Sequence, residues 1–205
     1  VSDDDLAEVR DAFAKLASSE PLQYVLKEAW FYGRRFNVSP DVLIPRPETE
    51  LLCRTVLDTP SGISVSNGHH VRLLDLCTGS GCIAWTMALE LPGSDVVAVD
   101  ISDGALKVAD GQDFSEELSS TGARKPQFFK ADVLAQPLTS LGQFDIIVSN
   151  PPYVMESEKA VLYASAYSLC STPSLCMKPP FPVYSVFIMP TSSGCLLWTY
   201  DCSAL

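Results

Sequence analysis

Apolar residues along this chain alternate between a helical period and short continuous runs, and the switches between them predict its elements. Leu6, Val9, Phe13, Leu16 and Ala17 recur three and four apart, with Ser2 and an acidic run at the start. That spacing predicts an amphipathic helix with acids where its dipole favours them, a packing helix or part of a substrate-docking unit. Trp30-Phe31-Tyr32 and Phe36-Asn37-Val38 flank Gly33 and predict a hairpin. Pro47 opens a second helix, with Glu48 and Glu50 near its positive end and Leu51, Leu52, Thr55 and Val56 on its buried face.

Beyond the polar linker from Thr59 to His70, the runs shorten. Val71–Leu76, Asp95–Asp100, Gln127–Asp132 and Phe144–Val148 read as strands. Helices are predicted after the first two, on Ile83, Ala84, Met87, Ala88 and Leu91 and from Ala105-Leu106-Val108-Ala109. The crossovers are long enough for parallel pairing, so the expected fold is α/β, a Rossmann-like sheet with a small N-terminal helical and hairpin appendage. From Ala160 to Leu205 the only charged residues are Lys178 and Asp201, and no helical or alternating period appears. The chain therefore divides into 1–58 (helix, hairpin and linker helix), 71–154 (core) and 155–205 (atypical tail). The sheet is expected to be incomplete after its fourth strand, leaving Ile146, Ile147 and Val148 with an unpaired side. An exposed apolar edge of that kind predicts poor solubility.

Composition narrows the function. The 205 residues suit one domain, 47% hydrophobic content supports a core, and a net charge of -11 argues against a large nucleic-acid footprint. Seven cysteines with no Cys-x-x-Cys pair fit a reducing compartment. His69 and His70 sit together in a polar loop, so no metal site is expected. No leader is visible, and Val183–Tyr200, broken by Pro190 and Ser192-Ser193-Gly194, is a weak membrane span. The expected location is cytoplasmic, or mitochondrial if a leader precedes Val1.

The candidate chemistry lies at strand ends. Cys77-Thr78-Gly79-Ser80-Gly81 is a tight glycine turn between a strand and a helix, and Asp100 ends the next strand about twenty residues on, as ribose recognition requires. Ala84 stands where the dinucleotide pattern accepts glycine or alanine, so at this turn both NAD and S-adenosylmethionine remain open. Ser149-Asn150-Pro151-Pro152-Tyr153 decides between them. Prolines stop the ladder and stiffen the turn, bringing an amide side chain, backbone carbonyls and a ring to one point. An amide or arylamine nitrogen is a poor nucleophile because its lone pair is delocalised. The Asn150 oxygen and the Pro151 carbonyl can accept its two N–H groups, and Tyr153 can stack on it. Methyl transfer then needs positioning and electrostatics rather than a strong base.

With Gln23-Tyr24, Leu43–Glu50 (Leu-Ile-Pro-Arg-Pro-Glu-Thr-Glu), Leu74–Gly81, Ala98–Ser102 and Phe144–Tyr153, the sequence from about Pro21 to Tyr153 resembles the HemK/PrmC family of protein-(glutamine) N-methyltransferases. Asn-Pro-Pro-Tyr is shared with nucleic-acid amino methyltransferases, whereas Ile-Pro-Arg-Pro-Glu-Thr-Glu is far more specific. The resemblance implies S-adenosylmethionine as cofactor and a peptide-chain release factor as protein substrate; the net charge argues against nucleic acid as a partner, and no membrane partner is expected. It places Cys77, Thr78, Gly79, Ser80 and Gly81 at the methionine end of the cofactor, Asp100 at the ribose, and Asp132 and Val133 beside the adenine. Arg46, Glu48 and Thr49 would lie close to the cofactor pocket, and Asn150, Pro151, Pro152 and Tyr153 would hold the glutamine. Two departures stand out: Cys77 where the family has glycine, and Asp110-Gly111-Gln112 in place of Asn-Ala, which predicts a mid-helix glycine costing about 1 kcal/mol. The rival readings are an amino-directed adenine or guanine methyltransferase, and a truncated, inactive form of the enzyme.

Overall fold

A computed structural model describes residues 2–58, 70–135 and 138–151, and the backbone of 186–191 and 194–199. The linker expected at Thr59 to His70 lies outside them except for His70, as do Pro152 and Tyr153. The appendage comprises α1 (Asp3–Ala17), α2 (Leu22–Leu26), the hairpin of β1 (Glu28–Phe31) and β2 (Arg34–Asn37), and α3 (Pro47–Asp58). The core follows as β3 (Arg72–Leu76), α4 (Cys82–Glu90), β4 (Asp95–Asp100), α5 (Asp103–Asp110), α6 (Ser115–Thr121), β5 (Gln127–Lys130) and β6 (Ile146–Ser149). The third crossover carries one 3-10 turn, Thr139–Leu141. No helix among the described residues is long and apolar enough to cross a membrane.

Four strands of the sheet pair in the order β5-β4-β3-β6, all parallel. The chain steps outward from β3 to β4 and β5, then returns to the other side of β3 for β6. That reversal opens a crevice at the carboxyl ends of the strands. Alternate residues face opposite layers. Leu73, Val96, Ala98, Ile146 and Val148 pack under α3, α4 and the hairpin aromatics Phe31 and Phe36. Leu74, Leu76, Val97, Val99 and Ile147 pack with Val133, Leu138 and Phe144. Burial on both faces is why these strands read as continuous apolar runs.

Helix α4 is buried on every side from Cys82 to Leu89, because the sheet covers one flank and α3 and α6 approach the other. Trp85 fills its outer side, with its ring against Phe114 at 5.1 Å and its indole N–H donating to the Ala109 carbonyl at 2.8 Å. Tyr32 and Gly33 both adopt positive φ, as a two-residue loop between twisted antiparallel strands demands. Arg34 ties this hairpin to the core through Glu90 and Glu117, each at 2.7 Å.

Several expectations are corrected. The strand predicted to Asp132 ends at Lys130, because Asp132 turns the chain by accepting the Leu134 and Ala135 N–H groups. Gly111 is not mid-helix: α5 stops at Asp110, and Gly111 caps it by donating to the Lys107 carbonyl at 3.1 Å. A Cβ there would lie 2.9 Å from that carbonyl, so the glycine permits the stop instead of weakening a helix. On α1, the Ser2–Asp5 capping box forms, but Leu6, Val9 and Phe13 are 44%, 50% and 68% exposed, so the stripe is not packed as a packing helix would be. Finally, β6 does not lack an outer neighbour. The strand β7 (Val186–Thr191) pairs with it antiparallel, Ile147 opposite Ile188, and β8 (Gly194–Thr199) pairs with β7. Val186-Phe187-Ile188 is a short β-branched and aromatic run, suited to a strand, inside a stretch whose Pro190 and Ser192-Ser193-Gly194 interrupt any longer pattern. Pro190 falls beyond the residues paired with β6, so its missing N–H is not needed there.

Candidate active site at the carboxyl ends of the strands

The glycine turn follows β3 because Cys77, Gly79 and Gly81 all take positive φ (61°, 56° and 79°). For the two glycines this conformation is ordinary, whereas at Cys77 it strains an L-residue. The glycines serve different ends. At Gly81 a Cβ would meet Ala109 Cβ at 3.0 Å and Trp85 Cδ1 at 3.1 Å, so glycine lets the turn close against α5. At Gly79 a Cβ would meet nothing within 4 Å among the described residues, which leaves open space above the backbone for a bound group. Burial pushes the Cys77 thiol up to about 12, reinforced by the nearby Asp100 and Asp75 carboxylates, so it is neutral and unreactive.

Asp100 ends β4 facing this turn. Its Oδ2 accepts the Gly79 N–H at 2.9 Å, and its Oδ1 accepts the Ser102 N–H at 3.0 Å. A carboxylate has about four acceptor positions, so two backbone bonds hold the group and still leave capacity for a diol. Ile101 stands beside it, 60% exposed, an apolar face at the rim that the sequence reading passed over. Its signal was an apolar residue directly after the strand-ending acid.

Asp75, on the layer covered by α3 and α4, is fully buried beneath the turn. Its Oδ2 accepts the Thr78 hydroxyl at 2.6 Å, and its Oδ1 makes no well-formed hydrogen bond, although the Ala84 N–H eases its charge. Burial raises its proton affinity from 3.8 to about 7 against the pull of Thr78 and Ala84, and Asp100 adds repulsion. Thr78 and Ser80 are both buried. Gln112, also buried, donates to the carbonyls of Asn37 and Ser80 at 2.9 and 3.1 Å and accepts the Asn37 N–H at 2.8 Å. It thereby joins the hairpin to the glycine turn. Neither Asp75 nor Gln112 is among the site residues expected from the sequence, because each matters only through contacts made on folding.

Asn150 leaves the end of β6, where Ser149 donates its hydroxyl to the Leu76 carbonyl at 2.9 Å and clamps the tips of β6 and β3 together. The Asn150 Nδ2 donates to Thr49 Oγ1 at 3.0 Å. Thr49 is buried in the first turn of α3, Glu48 beside it is half-buried, and Arg46 is exposed, its carbonyl accepting the Thr49 N–H at 3.0 Å. The structure thus brings Thr49 and Asn150 together, and Cys77–Gly81 with Asp100. Val133 points into the core rather than outward, packed with Leu138 and Phe144, and Asp132 is half-buried in its turn.

A cradle at Gly79, a held carboxylate at Asp100, an apolar face at Ile101 and a buried acid under the turn fit a nucleoside carrying a cationic amino-acid tail. The chain matches the methyltransferase small domain family over residues 48–169. It is 40% identical over 164 residues to a release factor glutamine methyltransferase of Chlorobaculum tepidum, covering 77% of this chain and 53% of that protein. It is 43% identical over 142 residues to the release factor glutamine methyltransferase of Bacillus subtilis, covering 69% and 47%. The chain spans about half the length of the curated relatives it matches. A solved structure of a SAM-dependent methyltransferase from Agrobacterium tumefaciens shares the fold, with a TM-score of 0.52 at 15% identity over 72% of this chain and 50% of that one.

Proposed function

The chain belongs to the methyltransferase small domain family, and from that premise we propose that it binds S-adenosylmethionine and methylates the side-chain amide nitrogen of a glutamine in a peptide-chain release factor. The observation that carries this reading is the Asn150 amide, anchored by Thr49 beside the same strand ends that hold the glycine turn and Asp100. The names of the relatives support the choice of glutamine and release factor.

Asp100 would accept the ribose hydroxyls while its backbone bonds to Gly79 and Ser102 keep it in place. Ile101 would lie against the base, with Asp132 and the Val133 backbone near it. Gly79 admits the methionine portion, and Thr78 and Ser80 hold the turn. S-adenosylmethionine supplies an electrophilic methyl group on a cationic sulfur. The chain's own task is to present the nucleophile. Asn150 Oδ1 and the Pro151 carbonyl would accept the two N–H groups of the glutamine amide, orienting the nitrogen and favouring charge that leaves its N–H bonds. These acceptors would hold the nitrogen toward the methyl group that the cofactor would supply, and the amide proton lost on transfer would pass to solvent. Pro152 would stiffen the turn and Tyr153 would stack on the amide plane. No general base is required, so positioning is the main contribution.

The test is isotopic methyl transfer by this chain to a release factor and to a glutamine peptide, with Asn150→Ala beside it. Turnover by Asn150→Ala should fall about 100-fold, the scale for one positioned polar contact, while the cofactor Kd stays near that of the parent. Transfer to an adenine-containing oligonucleotide and not to protein would overturn the substrate assignment. Equal turnover by the variant would overturn the mechanism.

A further inference from the structure

Most of the backbone in the glycine turn is tied to the protein. The Thr78 N–H donates to the Val99 carbonyl at 3.0 Å, the Thr78 carbonyl accepts the Gly81 N–H at 2.9 Å, and the Gly81 carbonyl accepts the Trp85 N–H at 2.9 Å. Asp100 takes the Gly79 N–H, and Gln112 donates to the Ser80 carbonyl. The peptide between those two anchors is different. Among the described residues, neither its Gly79 carbonyl nor its Ser80 N–H has a hydrogen-bond partner. Ser80 is only 2% exposed, and buried backbone groups are rarely left unmatched. A carboxylate is the acceptor that the N–H lacks, and an ammonium is a donor for the carbonyl, so an amino-acid tail supplies both. The peptide also adjoins the open space at Gly79. We propose that Gln112 is a positioning residue for the cofactor: with Asp100 it brackets the Gly79–Ser80 peptide and presets it for the amino-acid tail of S-adenosylmethionine. The inference rests on the cofactor reading given above.

The Gln112 amide can take only one orientation. The Asn37 N–H can only donate, so the atom facing it at 2.8 Å is Oε1. The carbonyls of Asn37 and Ser80 can only accept, so both face Nε2, at 2.9 and 3.1 Å. A reversed amide would set its oxygen against two carbonyl oxygens. Both donors of the amide are therefore committed, one to the hairpin and one to the turn. The place of Gln112 is set locally. Gly111 lets α5 stop where a Cβ would crowd the Lys107 carbonyl at 2.9 Å. Two residues beyond Gln112, the Phe114 ring packs against Phe36 at 5.0 Å and Trp85 at 5.1 Å. Arg34 provides the contrast. It ties the same hairpin to the core, but its ion pairs are with Glu90 and Glu117, outside the turn.

Methionine nearly matches glutamine in length and volume but has no N–H to donate, so Gln112→Met frees the Ser80 carbonyl. Arg34→Met loosens the hairpin without touching the turn. Both should lower the thermal midpoint. Calorimetry with S-adenosylmethionine, well below each midpoint, separates them. Kd per folded molecule should rise about three- to tenfold in Gln112→Met, the effect of losing one neutral hydrogen bond, and stay within about twofold in Arg34→Met. An unchanged Kd in Gln112→Met would overturn the proposal. So would an equal rise in Arg34→Met, which would assign the effect to the hairpin. If Gln112→Met does not fold, Gln112→Glu gives the same comparison, because it keeps the acceptor for the Asn37 N–H and loses the donors. A second readout needs no cofactor. The Gly81 N–H shares a peptide with the Ser80 carbonyl, so its 15N–1H signal should move and exchange faster in the Gln112 variant and not in Arg34→Met. If the parent binds no S-adenosylmethionine, the cofactor reading fails, and this signal alone decides whether Gln112 fixes the turn. An unchanged Gly81 signal would refute it.

Discussion

Replacing the buried acid beneath the glycine turn should make the protein's stability less sensitive to pH. Asp75 takes its proton at about 7 in the folded protein and at 3.8 in the unfolded chain. Between those values the folded state holds a proton that the unfolded state has lost, so stability falls as pH rises through the interval and levels off above about 7. The full penalty is the difference of roughly 3 units, about 4 kcal/mol at 1.36 kcal/mol per unit. Asp75→Asn preserves the shape and can still bond Thr78, but it cannot ionise. Other carboxylates titrate equally in both proteins and cancel in the comparison. The stability of the variant minus that of the parent should therefore rise by about 3 kcal/mol between pH 5 and pH 8, since part of the penalty is already present at pH 5. Urea unfolding followed by far-UV circular dichroism at several pH values measures it. The sign is the opposite of that for a salt-bridged aspartate, whose removal costs more as pH rises. A difference that stays flat, or falls, across this range would show that Asp75 is charged and satisfied in the folded state, and the account of its burial would be wrong.

Gly81→Ala should cost about 2–5 kcal/mol, from a Cβ forced against Ala109 and Trp85 together with a left-handed backbone, whereas Gly79→Ala, which meets nothing, should cost about 1 kcal/mol; equal losses in chemical denaturation would refute the division of roles between the two glycines. Asp100→Ala should weaken S-adenosylmethionine binding tenfold or more by calorimetry, at roughly 1.5–3 kcal/mol per lost charge-assisted bond, and unchanged affinity would remove Asp100 from the site. Gln112→Ala should destabilise the protein by about 2–4 kcal/mol, because losing its three bonds leaves the buried Ser80 carbonyl and the part-buried N–H and carbonyl of Asn37 unmatched; a thermal midpoint equal to that of the parent would show that the hairpin does not depend on this link.

The local elements of this protein are written in its sequence. The runs at β3, β4 and β6, the start of α3 at Pro47, the hairpin at Gly33 and the glycine turn after Leu76 all follow from periodicity and turn chemistry, which act between near neighbours. The parallel pairing follows as well, because the crossovers are long enough to allow it. Even the strand-end position of Asp100 was legible, since a strand and its turn determine where the next residue emerges.

Tertiary structure decided what depends on distant partners. Asp75 looks like any strand residue until α3 and α4 close over it and raise its proton affinity. Gln112 looks like a departure from a family pattern until the hairpin and the turn converge on its amide. The α1 stripe and the Val186–Ile188 run show the reverse: an apolar period does not say whether anything packs on it, and a strand paired between two neighbours need show no period. Thr49 and Asn150 lie in segments that sequence reading could each mark, but their contact spans 101 residues. Only the packing of α3 beside the tips of β3 and β6 brings a hydroxyl to the amide, because a hydrogen bond needs about 3 Å and no spacing along the chain encodes that.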